Sequence, residues 1–212
     1  MPGIIHVVDD DALYRTAVQR LLKAAGYRVL AYASAQQFLD QRPDENAKGC
    51  ILLDVLMPGL SGPELQSRLT ELGWTLPIVF LTGHPDINVA VKAIKAGAEN
   101  FLVKPVSSNR LLEAIEGAIA RREKERALAA GLQALRALLS TLTPRQLQVF
   151  ELIVQGKTNK QVAHELGGSA RTIKAHRQVI MAKMKVQSIT QLVAIAERLG
   201  MFSPDKEAQA GE

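Results

Sequence analysis

Residues 4–120 alternate short β-rich runs with amphipathic helical patterns, and that alternation leaves few folds open. Strands that follow one another through helices build a parallel sheet with helices on both faces. The β-rich runs lie at 4–8, 29–32, 50–53, 78–81 and 101–103. Between and after them, apolar residues recur at helical spacing: Leu13, Ala17, Leu21; Leu65, Leu69, Leu72; Ile87, Val91, Ile94; Leu111, Ile115, Ile119. Gly26, Gly73 and Gly97 close helical segments as C-terminal caps do. The pattern predicts an α/β doubly wound domain of five parallel strands and five helices. With 212 residues, 47% of them hydrophobic, the chain has material for a second domain with its own core.

In an open parallel sheet, ligands bind beyond the carboxyl ends of the strands. The first run ends in Asp9, Asp10 and Asp11, the third in Asp54, the fourth in Thr82 and the fifth in Lys104. The second offers nothing comparable, as an edge strand would. Clustered carboxylates repel one another unless a cation intervenes, and hard oxygen ligands suit Mg²⁺ or Mn²⁺. A carboxylate beside a divalent cation, a lysine and a hydroxyl suits phosphoryl chemistry. The metal and Lys104 would neutralise phosphoryl oxygens while Asp54 attacks phosphorus. Each polar tip alone reads equally well as a solvated strand end; the set reads as one site. A Mg²⁺-dependent phosphohydrolase is the enzyme alternative, but it calls for a second acid two residues after the nucleophile, where Leu56 stands.

Charge divides the chain. Residues 1–120 carry 11 Lys+Arg against 13 Asp+Glu, a net of −2, and the remainder carries 15 against 8, a net of +7. Between Glu165 and Glu197 no acid occurs, while Arg171, Lys174, Arg177, Lys183 and Lys185 all do. Such asymmetry points to nucleic acid more than to a membrane. The same segment predicts a helix opened by Thr143 as N-cap and Pro144 in its first turn, a short helix over 159–166, a turn at Gly167-Gly168-Ser169, a helix over 171–185 and a last one over 189–199. Two helices about a short Gly-containing turn make a helix-turn-helix unit, although spacing alone also fits a plain bundle. Before it, the helical pattern runs unbroken from Ser107 to Ser140, with Leu128, Leu132, Leu135 and Leu139 at coiled-coil spacing. The expected organisation is therefore 1–120, a helical linker over 121–140, a basic domain over 141–203 and a mobile tail over 204–212. The one cysteine, Cys50, reads as core filler, no run approaches a membrane span and no export signal is evident, so a cytoplasmic protein is expected.

The blocks V-D-D at 8–10, L-D-x-x-M-P-G at 53–59, T-G-H at 82–84 and F-x-x-K-P at 101–105 resemble the receiver domain of two-component response regulators. The resemblance implies that Asp54 accepts a phosphoryl group from a sensor histidine kinase. Asp10 would hold Mg²⁺ directly, with Asp9 close by, Asp54 itself and the backbone carbonyl of Leu56 completing the protein ligands. Thr82 and Lys104 would grip phosphoryl oxygens, Phe101 would turn inward as the switch aromatic, and the bond before Pro105 would be cis. For Phe101 ordinary strand packing stays open, and Asp11 reads as the cap of the first helix. The switched surface would span 87–103 and promote homodimerisation.

L-T-P-R-Q at 142–146, G-K-T-N-K-Q-V-A-H-E-L-G at 156–167 and R-T-I-K-A-H-R-x-x-I-M-A-K-M at 171–184 resemble the LuxR-type output domain. Receiver plus this output is the NarL/FixJ arrangement, in which double-stranded DNA is the partner. Gln146 stands where a glutamate is usual, and Gly168 replaces an apolar turn residue. The resemblance puts the helix from Arg171 in the major groove. Lys174, Ala175 and Gln178 would read bases, and Lys160, Arg171, Thr172, Lys183 and Lys185 would grip phosphates.

Overall fold

The computed structural model describes residues 3–41 and 48–201; the tail over 204–212 lies outside them. In chain order it runs β1 (Ile4–Val8), α1 (Ala12–Ala24), β2 (Arg28–Tyr32), α2 (Ala35–Gln41), β3 (Gly49–Asp54), α3 (Gly62–Glu71), β4 (Ile78–Thr82), α4 (Ile87–Lys95) and β5 (Asn100–Val103). Then follow α5 (Ser108–Leu139), α6 (Pro144–Val154), α7 (Asn159–Leu166), α8 (Ala170–Lys183) and α9 (Ile189–Arg198). Two compact units divide between Glu125 and Arg126, inside α5.

In the first unit the strands pair in parallel in the order β2-β1-β3-β4-β5. Side chains alternate across the sheet. Cys50 and Leu52 therefore join a core with Val18 and Leu22 of α1 and Leu111, Ile115 and Ile119 of α5, whereas Ile51 and Leu53 join Phe38, Leu65, Leu69 and Phe80 on the opposite face. Covered on both faces, β3 is buried at every residue, which is why its sequence is an unbroken apolar run up to Asp54. The chain leaves β1 first toward β2 and later toward β3. The crevice that opens at this reversal is flanked by the ends of β1 and β3.

Of two expected apolar stripes, one reaches the core only through Leu21 and the other stays at the surface. On α1, Leu13 is 85% exposed while Val18 and Leu22 are buried. Tyr14, Val18 and Leu22 form an equally good stripe one position on, and packing on the sheet selects it. On α4, Ile87, Val91 and Ile94 stay at the surface and Ala93 is the buried residue. The helix turns Ala93 and, in part, Val89 inward and leaves Ile87, Val91 and Ile94 outward.

The second unit packs α6 to α9 around Val149, Phe150, Ile153, Val162, Ile173, Ile180 and Leu192. Leu138 and Leu139, from the end of α5, lie against the same core. Thr143 and Thr158 cap α6 and α7 through reciprocal bonds with Gln146 and Gln161, which satisfy backbone donors at each helix start. Among the described residues no helix is long and apolar enough to cross a membrane.

His6 sits inside the first unit at 1% exposure, with Nδ1 3.0 Å from the Tyr32 hydroxyl and its ring edge-on to Phe38. Burial pushes its pKa from the ordinary 6.5 down to about 4. The unfolded chain thus binds a proton before the folded one does, so stability falls as pH drops through 6.5 and levels off near 4. Urea unfolding at pH 7 and pH 5 should cost the natural chain about 2 kcal/mol more than His6→Leu over that interval. Parallel losses in both proteins would remove His6 as the cause.

Candidate functional site

The parallel sheet brings the ends of β1, β3, β4 and β5 to one edge, and four of the sequence-selected side chains meet there. Lys104 follows β5 and reaches past β4, placing Nζ 2.6 Å from Asp9 Oδ2 and 2.8 Å from Asp54 Oδ2. Asp9 is fully covered, Asp54 nearly so, and the Lys104 side chain is 13% exposed. Burial holds the Asp9 carboxyl above the ordinary carboxylate range despite its lysine partner. Burial alone would lower the Lys104 ammonium, but its bonds to Asp54 and Asp9 outweigh that and raise it. It therefore stays cationic.

Asp10 completes a carboxylate triad with Asp9 and Asp54, with one oxygen of each lying within 4.8 Å of the others. Three carboxylates facing one ammonium leave excess negative charge, and the oxygen-only donor set fits a hard divalent cation. Leu56 lies just beyond, its N–H 3.4 Å from Asp54 Oδ1 and its side chain 57% exposed. Asp11 is not drawn in: its Oδ1 accepts from the N–H groups of Leu13 and Tyr14 and caps α1.

Thr82 is wholly buried, yet its hydroxyl faces the backbone of His84 instead of Asp54. It donates to His84 O at 3.1 Å and accepts from His84 N at 3.1 Å. Phe101 is half-buried on β5, its ring 6.1 Å from that of Phe80. The Lys104–Pro105 bond is cis.

Three further residues shape this pocket without having been singled out in the sequence. The Lys104 ammonium lies 4.3 Å above the Tyr14 ring, a cation–π contact on a third side. Arg15 Nη1 donates to the Asp9 carbonyl at 2.6 Å. Gly62 opens α3 against β3, where a Cβ would meet the Asp54 carbonyl oxygen at 2.1 Å, so only glycine lets the loop from Asp54 fold back. The signal for Gly62 is its place just after the Met-Pro-Gly turn; nothing in residue spacing marks Tyr14 or Arg15.

In the second unit the start of α7 and one face of α8 enclose a groove of about 630 Å³ lined by Thr158, Asn159, Lys160, Lys174, Arg177, Gln178 and Met181. Lys160, Lys174 and Gln178 are brought together there; Arg171, Thr172 and Ala175 lie exposed on the first turns of α8, outside the lining. Lys183 is directed elsewhere, donating to Thr141 O at 2.7 Å and Gln146 Oε1 at 2.8 Å. Lys185, exposed just past α8, has a positive φ of 55°. Arg177 was not among the sequence-selected contacts, but its Nη1 donates to Asn159 Oδ1 at 2.7 Å, which holds the guanidinium at the groove wall. Its basic position on the helix was visible in the sequence; the tether to a residue 18 positions earlier was not.

Residues 5–116 match the family described as the response regulator receiver domain, and residues 140–196 match the bacterial regulatory proteins of the luxR family. The chain is 43% identical over 197 residues to the response regulator protein TmoT of Ectopseudomonas mendocina, covering 93% of this chain and 89% of that one. It is 41% identical over 201 residues to the transcriptional regulatory protein FixJ of Bradyrhizobium diazoefficiens, covering 95% and 98%. Among solved structures, the response regulator StyR aligns with a TM-score of 0.82 at 42% identity, over 92% of this chain and 98% of that one. Full-length FixJ from B. japonicum aligns at 0.60 and 41%, over 95% and 98%. With an acidic pocket at the tips of a five-stranded parallel sheet and a basic helix-turn-helix unit after it, the chain belongs to the two-component response regulators that join a receiver domain to a LuxR-type DNA-binding domain and regulate transcription.

Proposed function

We propose that Asp54 is the phosphoacceptor, charged by a phosphohistidine on a sensor kinase, and that its phosphorylation controls DNA binding by the second unit. The observation that carries this is Lys104 Nζ bridging Asp54 and Asp9 within one carboxylate cluster. In the transfer, an Asp54 carboxylate oxygen attacks phosphorus, a P–O bond forms and the P–N bond to histidine breaks. Lys104 is already cationic beside the attacking group and neutralises a phosphoryl oxygen as charge builds. Asp9, Asp10 and Asp54, with the Leu56 carbonyl, are the residues that would hold Mg²⁺ or Mn²⁺; a bound divalent cation would supply further neutralisation of the phosphoryl oxygens. We read the chain as a switch that accepts and slowly loses its phosphoryl group, acting in the cytoplasm where its DNA lies.

Phosphorylation gives Asp54 more negative charge and more acceptor oxygens. The Thr82 hydroxyl, now spent on His84, would turn toward them, and Phe101 would follow into the space released. The surface that changes carries Ile87, Val91, Ile94 and Val103, exposed by 82%, 47%, 45% and 46%. An apolar face of that kind supports pairing of two phosphorylated copies.

For DNA, the groove beside α8 supports Lys174 and Gln178 as base readers with Lys160 and Arg177 on phosphates, Arg177 being pre-set by Asn159. Arg171, Thr172 and Lys185 are exposed and extend the phosphate-gripping surface, and Ala175 offers a methyl contact. Lys183 would join only by leaving Thr141 and Gln146.

Two measurements test these readings. Incubated with acetyl phosphate and Mg²⁺, the protein should gain the mass of one phosphoryl group and Asp54→Asn none; labelling of Asp54→Asn to the same extent would reject the assignment. In gel shifts across a salt series, Lys160→Ala should weaken all duplexes alike and flatten the log–log salt slope by about 0.9, whereas Lys174→Ala should relax base preference. Equal loss on every sequence for Lys174→Ala would remove it from base reading.

A further inference from the structure

Gln66, in α3, is only 3% exposed. Its Nε2 donates to the carbonyl oxygens of Ala93 and Ala96, each at 3.1 Å. Ala93 lies in the last turn of α4, and Ala96 is its C-cap. The last carbonyls of a helix lack partners within it, so a buried amide that serves this end ties α4 to α3. Ala93 is also the one fully buried residue of α4, with Val89 half-buried against the same core a turn earlier. The C-terminal end of α4 is therefore held twice.

The other end is held differently. Residues 83–88 are exposed. Asp86 caps α4 through Asn88 N and Val89 N, which binds the helix to itself. The loop is fastened to the sheet through the Thr82 hydroxyl and the backbone of His84. A hydroxyl has one proton to donate. If Thr82 gives it to a phosphoryl oxygen on Asp54, the bond to His84 O is released and the loop before α4 loses that fastening.

We propose that Gln66 is the positioning residue of the switch: it pins the C-terminal end of α4, so that release of the loop at Thr82 swings the helix about that end. Ile87 then travels farthest, Val91 less and Ile94 least, and the exposed apolar face is reoriented more than translated. This deepens the phosphoacceptor reading and rests on it.

Amide hydrogen exchange of the full chain, with and without beryllofluoride and Mg²⁺, tests the idea in the natural protein and in Gln66→Met, which keeps the side-chain length and removes both donors. Without beryllofluoride, Gln66→Met should speed exchange at residues 96–98 by about 5- to 10-fold, as expected for loss of a buried bonded donor, and leave residues 51–53 unchanged. With beryllofluoride, the natural protein should respond over 84–90 and stay protected at 96–98, and in Gln66→Met the response should spread into 96–98. Equal exchange at 96–98 in both unliganded proteins overturns the pin, as does equal acceleration at 51–53, which marks general destabilisation. A natural-protein response as large at 96–98 as at 84–90 overturns the pivot. No response anywhere in 84–90 overturns the phosphoacceptor reading, and the pivot with it, while the unliganded comparison still reports on the pin.

Discussion

The bridge from Lys104 to Asp9 and Asp54 is the interaction on which the first unit turns. Burying carboxylates side by side is costly unless charge is returned to them, and removing one partner of such a cluster leaves the others uncompensated. Lys104 returns that charge from the end of β5, past β4, to β3 two positions away and β1 three positions away. The backbone supports the reach, since Lys104 N donates to Thr82 O at 2.7 Å. One ammonium thus holds the strand tips of a parallel sheet in a single electrostatic unit, and a phosphoryl group or a cation entering the pocket acts on all of them at once.

The elements beside it are held unequally. Thr82 is rigidly buried but its hydroxyl is committed only to the adjoining loop. The helix that follows is anchored by a small buried side chain and the amide of Gln66 at one end, and toward the other by the half-buried Val89. Large apolar residues left at the surface of α4 cost little there, and the proposed pairing of two copies would cover them. On the pivot proposed above, a helix held at one end would turn a local change in hydrogen bonding into a change of surface.

The second unit applies the same economy to nucleic acid. Capping boxes fix the starts of α6 and α7, an apolar core orients α8, and the basic residues are left on the outer face. Within the groove, the bond from Arg177 to Asn159 restricts a long flexible side chain, which would lower the ordering cost of the phosphate contact proposed for it. Gln146, where the family usually has glutamate, still serves as both capping-box partner and acceptor for Lys183. The missing charge weakens that contact without removing it.

Much of this was legible in the sequence because periodicity and strand-end chemistry are local. An apolar run ending in Asp54, acids after β1, a lysine after β5 and a basic helix after a glycine turn each follow from a few adjacent residues, and strand order then brings the first three to one edge. What the chain could not declare were contacts between residues distant in sequence or choices between equivalent faces. Leu13 and Val18 both fit a helical stripe, and only packing against the sheet put Val18 inside and Leu13 in water. Ile87, Val91 and Ile94 looked like core and lie outside, because the face that carries Val89 and Ala93 packs inward instead. The clearance at Gly62, the Tyr14 ring under Lys104 and the Asn159 tether on Arg177 exist only once separate elements meet. The sequence determined which chemistry reaches each strand tip and helix face, since that follows from neighbours along the chain; the tertiary structure decided which of those groups are held, and by what, since that follows from neighbours in space.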